Sequence, residues 1–248
     1  MVFFIIITMN NKLLLSFESY TKIKHELPYF YKIKSNGQVL YYFGSDHTKN
    51  IKNPQFENIK NKFKEFLTET LNNKKVVFFE GNVKVDDNLS LEEYISKYGE
   101  AGAIVYWSKK SEVEAVRPEP CDGELVNKLL ENFSMEEIFY FYMIRAIGQW
   151  QRMRANRDFN EFLKFNIEKY QKILNWKDFD FSFENIKKIH KKITDLEFDK
   201  DEVKIPRISS PIYYDSIIND IARDLTTLRN IYMLDKIEEY WKKNTVFL

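Results

Sequence analysis

Three strand-like runs in this 248-residue chain end in groups able to move a proton or bind a metal. His47 follows the QVLYYF run, Glu80 follows KVVFF, and Glu119 follows VEAV with Arg117 and Pro118 between. In open parallel sheets, ligands bind beyond the carboxyl ends of the strands. An imidazole and a carboxylate on neighbouring strand ends form either a base with its orienting partner or two ligands of one metal. Gly44 and Gly81 let the backbone turn sharply as it leaves the sheet. A polar residue after one strand is also what any exposed turn shows; three such ends in succession single these positions out. The other two histidines, His25 before a Pro-containing turn and His190 in a Lys-rich helix, read as solvated surface residues.

Only eight of the 38 basic residues are arginine, and four of them (Arg145, Arg152, Arg154, Arg157) fall within 13 positions. Arg145, Gln149 and Arg152 are spaced i, i+4, i+7, so they share one face of the most apolar helix in the chain. Arg145 follows seven apolar residues, which predicts restricted access to water and a need for a carboxylate or an anionic ligand. Glu80, Glu100 and Glu119 are the candidate partners. A structural salt bridge and a substrate contact fit that position equally. Arg152, Arg154 and Arg157 read as a solvated helix end. Arg223, Asp220 and Asp224 have the spacing of a helix ion-pair network, with Arg229 six residues on.

These groups need elements to position them. Tyr29–Lys34 and Gln38–Phe43 flank Asn36-Gly37, a hairpin signal. Pro54–Leu71 has a helical apolar period, and Lys75–Phe79 reads as a buried strand, completing a β-α-β unit with parallel strands. Leu91–Lys110 reads as a helix through Gly99-Glu100, and Val113–Val116 as a short strand stopped by prolines. From about 124 to 198 the signal is helical: Met135–Met153, apolar all round over Ile138–Ile144 and therefore buried, then Phe159–Leu174 and Phe183–Thr194. A polar loop over Asp199–Pro211 precedes a long helix over Asp215–Lys243. Thr245–Leu248 opens a further buried strand. The expected fold is α/β: one domain over 1–248, with a mostly parallel or mixed central sheet, flanking helices, an N-terminal β-hairpin and a large helical insertion.

The chain is 44% hydrophobic and 30% charged with a net charge of +1. That profile is globular, and it lacks the basic field that draws a chain to nucleic acid or anionic lipid. Cys121 is the single cysteine, which favours a reducing compartment and a cytoplasmic location. The apolar run Val2–Ile7 is too short to span a bilayer and has no basic segment before it, so it reads as a buried strand or as residues ahead of a true start at Met9.

The ordered set GSDH, EG, GE, EP and two late-helix arginines resembles the TraB/Tiki/ChaN/erythromycin-esterase-like superfamily, closest to its bacterial TraB- or ChaN-like members, from about Leu27 onward. The resemblance implies functional roles for His47 and Glu80, with Glu100, Glu119, Arg145, Arg223 and Arg229 at the other motif positions. It implies hydrolysis of an amide or ester bond in a small molecule or peptide, with a divalent metal such as Mn, Co or Zn. His47 and Glu80 supply two of the roughly three ligands that a catalytic metal uses, so this chain is expected to bind metal poorly. Asn230 stands where the pattern has an Asp. The family's second GxxH follows the strand that here begins at Thr245, so the resemblance also implies a truncated form with weak or no turnover. The alternative expectation is a non-catalytic binder of haem or metal, with aromatic walls around Phe139–Tyr142.

Overall fold

The computed structural model describes residues 5–8, 11–14, 19, 22, 26–153, 158–201, 205–241 and 245–247. His25, Arg154 and Arg157 lie outside the described residues. The chain divides into two compact units, one of 1–12, 23–119 and 231–248, the other of 13–22 and 120–230.

Strands β1 (Ile5–Thr8) and β2 (Asn11–Leu14) pair in a small separate sheet. Then come β3 (Tyr29–Ser35), β4 (Gln38–Gly44), α1 (Gln55–Glu69), β5 (Lys75–Phe78), α2 (Leu91–Lys110) and β6 (Glu114–Val116). The helices α3 (Asp122–Leu129), α4 (Met135–Met153), α5 (Phe159–Leu174), α6 (Phe183–Thr194) and α7 (Ile205–Ile208) follow. The chain continues with α8 (Ile217–Trp241) and β7 (Thr245–Phe247).

The main sheet has the order β3-β4-β7-β5-β6. β3 and β4 are antiparallel, in register from Tyr29 opposite Gly44 to Ser35 opposite Gln38. Asn36 and Gly37 turn between them with φ of 51° and 77°, the paired positive values of the two-residue turn that matches strand twist. The other pairs are parallel. β7 fits between β4 and β5: Phe247 is level with both Tyr41 and Val77, and the Thr245 N–H donates to the Lys74 carbonyl at 2.8 Å. The strands that flank α1 are therefore parallel but not adjacent.

Both faces of this sheet are covered, which is why its strands are apolar without clean alternation. Val39, Tyr41, Val77 and Phe247 pack against Ile59, Phe63 and Phe66 of α1 and Ile104 of α2. Leu40, Val76, Phe78 and Val246 pack against Ile237, with Tyr240 and Trp241 alongside, all from the end of α8. The hairpin is also tied to α1 by charge. The Tyr41 hydroxyl lies 2.9 Å from Glu65 and 2.5 Å from Glu69, and Lys32 and Lys34 each reach Glu69 at 2.6 Å.

The second unit is helical and built on α4. Every side chain from Ile138 to Ile144 is buried, among them Phe139, Tyr140, Phe141 and Tyr142. These aromatics are core, as a helix apolar all round requires, and not the haem walls of the alternative reading; they pack with Leu125, Leu163, Ile186 and Ile221. Two sequence expectations are corrected here. His190 is not solvated: it is 2% exposed, and its Nδ1 lies 2.7 Å from the Tyr140 hydroxyl. It lies one helical turn beyond Ile186 and next to Ile189, so it shares the apolar face of α6 despite its lysine neighbours. Arg145 is exposed, not shielded, because it lies with exposed Gln149 and Arg152 on the polar stripe of an otherwise buried helix. Its guanidinium stacks 5.4 Å from the Phe141 ring centroid. The polar stretch after Asp199 contains the single-turn α7, where a loop is expected. Among the described residues, no helix is long and apolar enough to cross a membrane.

Lys32, Lys34 and Tyr41 hold the Glu69 carboxyl down at about 2 in the folded chain, against 4.5 ordinarily. A depressed carboxyl stabilises the fold in full above its unfolded value, and that stability is lost as pH falls from about 4.5 toward 2. Glu69→Gln should therefore cost about 1–2 kcal/mol at pH 7 and flatten the acid limb of stability. Urea midpoints from pH 7 to pH 2.5 check this; parallel acid limbs for the two proteins would contradict it.

Candidate active site

The site is built in the first unit, beyond the carboxyl ends of β4 and β5. The loop after β4 is fixed at Asp46 by the side chain of Gln55, the first residue of α1. The Asp46 N–H donates to Gln55 Oε1 at 2.9 Å, and Gln55 Nε2 donates back to the Asp46 carbonyl at 2.5 Å. Gln55 is 2% exposed, so this two-point clamp on a loop backbone is shielded from water and expensive to break. It presents the next residue, His47, at the edge of the sheet.

The partner of His47 comes from α2. That helix begins with a capping box at Ser90 and Glu93 and breaks at Gly99, whose φ of 63° and ψ of −138° are not helical. A Cβ at Gly99 would lie 2.9 Å from the Thr48 carbonyl oxygen, so both the backbone angle and the close approach require glycine. The break sets Glu100 against the histidine loop, and Glu100 Oε1 hydrogen-bonds to His47 Nδ1. The imidazole is 70% exposed and the carboxylate 19%. Glu100 holds the His47 pKa above its ordinary value; desolvation opposes this, and the charge of Glu80 adds to it.

Sequence reasoning gives His47 and Glu80 as base and orienting partner on adjacent strand ends. The structure brings both into one cavity but seats Glu100 on Nδ1. The reason is topological. With β7 between them, β4 and β5 are two strand spacings apart, about 10 Å, and that gap separates the strand ends that carry the imidazole and the Glu80 carboxylate. The cavity that results measures about 200 Å³ and is lined by His47, Glu80, Glu100 and Asp46 among apolar side chains including Tyr29, Tyr42, Phe79, Ile104, Met233 and Phe247. Glu119 sits at the neighbouring strand end, accepting from the Gly81 N–H at 2.6 Å and pairing with Arg117 at 3.1 Å.

Arg145, Gln149, Arg223 and Arg229 belong to the second unit. Arg223 pairs with Asp220, as the helix spacing predicts, donates to the Tyr213 carbonyl, and lies 3.9 Å from the Tyr214 ring centroid. Gln55 and the place of Phe247 in the cavity lining escape sequence reasoning, and Gly99 is read there only as part of the GE pair. Only the glycine inside a helical pattern hints at its role.

A metal at His47 and Glu80 needs further ligands, and the donor set does not fit: among the described residues, no group of three or more His, Cys, Asp or Glu side chains could hold an ion. His47 Nδ1 is already engaged with Glu100. No family model, curated protein or solved structure matches this chain.

Gly99→Ala should destabilise the first unit by about 1–3 kcal/mol, since alanine must adopt a disfavoured φ and push against the Thr48 carbonyl. Chemical denaturation measures this; a loss below about 0.5 kcal/mol would show that the break does not need glycine.

Proposed function

We propose that the first unit is a hydrolase of ester or amide bonds in which His47 is the acid–base catalyst and Glu100 its positioning residue. The observation that carries this is the His47–Glu100 pair opening onto an apolar-walled cavity at the carboxyl edge of a parallel sheet. With its Nδ1–H donated to Glu100, the imidazole keeps Nε2 as the atom that exchanges protons. Water gives a proton to Nε2 as its oxygen attacks the carbonyl carbon. The tetrahedral intermediate then collapses, and the leaving oxygen or nitrogen takes that proton from Nε2 as its bond to carbon breaks, departing as an alcohol or an amine. Glu80 keeps a negative field on the imidazole and steadies its protonated form between the two transfers. Membership of the TraB/Tiki/ChaN/erythromycin-esterase-like superfamily belongs to the same proposal, as does a cytoplasmic location.

A binding protein without turnover is the second reading, favoured by the extent of the apolar wall. Hydrolysis of short-chain p-nitrophenyl esters and anilides separates the two. The hydrolase reading predicts that His47→Ala lowers kcat/KM by about 10²–10⁴ while the protein stays folded. Because the base form is required, the wild-type rate should rise with pH through a midpoint above the ordinary imidazole value. Equal rates for wild type and His47→Ala would remove the hydrolase reading.

A further inference from the structure

The described residues that line the cavity differ in depth. Ser45, Asp46, His47, Glu80 and Glu100 come from the loops after β4 and β5 and from the break in α2. Asp46 and His47 are exposed, so the cavity opens on their side, and Glu100 is engaged with the imidazole there. The inner wall comes from the core: Ile59 of α1, Phe78 of β5, Ile104 of α2, Met233 of α8 and Phe247 of β7, none more than 6% exposed. Tyr29 and Tyr42 close one side with stacked rings 5.9 Å apart. The Tyr29 ring lies against Gly44, its cross-strand partner, in space that any side chain at that position would occupy.

This arrangement selects a ligand by character and by size. A charged body pushed past the opening would be stripped of water against side chains that offer it neither a hydrogen bond nor an opposite charge. An apolar body pays no such penalty and gains with each carbon that it buries. A cavity of about 150 Å³ lined by Leu, Ile and Phe takes up benzene. At about 200 Å³ this one has room, in the same proportion, for about eight carbons. We propose that the cavity takes an uncharged hydrocarbon group of about six to eight carbons, with the polar end of the ligand left at the opening beside His47. That this polar end is a scissile ester or amide rests on the hydrolase reading; the character and size of the hydrocarbon do not.

The straight-chain alcohols butanol, hexanol, octanol and decanol test the inference by calorimetry on the whole 248-residue protein at pH 7.5. The expected affinity rises about threefold to fourfold per methylene from butanol to octanol, at one saturable site. It then levels off or falls at decanol, which is longer than the cavity can hold. Met233→Ala, which opens the inner wall, should move this break out to decanol. Ala101→Leu, which fills space beside the break in α2, should move it back toward hexanol. Ala101 is half-buried, so this second variant carries the readout if Met233→Ala does not fold. An affinity that climbs evenly through decanol, butanol bound as tightly as octanol, or no saturable binding of octanol would overturn the inference. The p-nitrophenyl esters of acetate, hexanoate, octanoate and dodecanoate separate the two readings. Cleavage that depends on His47 but is equal for all four esters, with no break in the alcohol series, overturns the size selection and leaves the hydrolase standing. A break at octanol without cleavage of any ester does the reverse.

Discussion

The sheet of the first unit depends on three residues filling one slot. Thr245, Val246 and Phe247 are buried and pair in parallel with β4 on one side and β5 on the other. Without them, two apolar strands would each expose an unpaired edge, and the faces packed on α1 and on the end of α8 would lose their shared middle. The pairing of β4 with β7 joins segments some two hundred positions apart in the chain, so the middle of the sheet is its least local contact.

That insertion also sets the chemistry. Holding β4 and β5 two strand spacings apart leaves a gap between their ends instead of a direct contact, with Phe247 in the lining of the cavity. The imidazole then takes its partner from a helix. α2 can supply one only because Gly99 breaks it where Glu100 must turn toward the loop. Gln55 holds the loop from the other side. One carboxylate is thereby committed to His47, and Glu80 lines the cavity across the gap.

Much of this was legible in the residues, and what was not has a physical cause. Local signals worked: Asn36-Gly37 set the hairpin, the periods of α1, α2, α5 and α6 matched their helices, and the last residues read as a buried strand. His47 and Glu80 stand out by position and Glu100 by the family resemblance, and all three line one cavity. Strand order was not legible, because nothing in β7 says which neighbours it will have. For that reason the sequence alone places Glu80 beside the imidazole. Burial within a mixed helix is not legible in either direction. His190 is hidden by a face that only three-dimensional packing reveals, and Arg145 is exposed on a stripe narrower than the apolar run before it.

The claim at the centre is that Glu100 holds the Nδ1–H of His47 and so decides which nitrogen exchanges protons. Nitrogen-15 NMR on the ring of His47, followed across a pH titration, tests it directly. The account predicts a protonated Nδ1 in the neutral ring and a midpoint above that of an ordinary imidazole, falling when Glu100 is replaced by glutamine. A neutral ring protonated at Nε2, or a midpoint indifferent to Glu100→Gln, would contradict it.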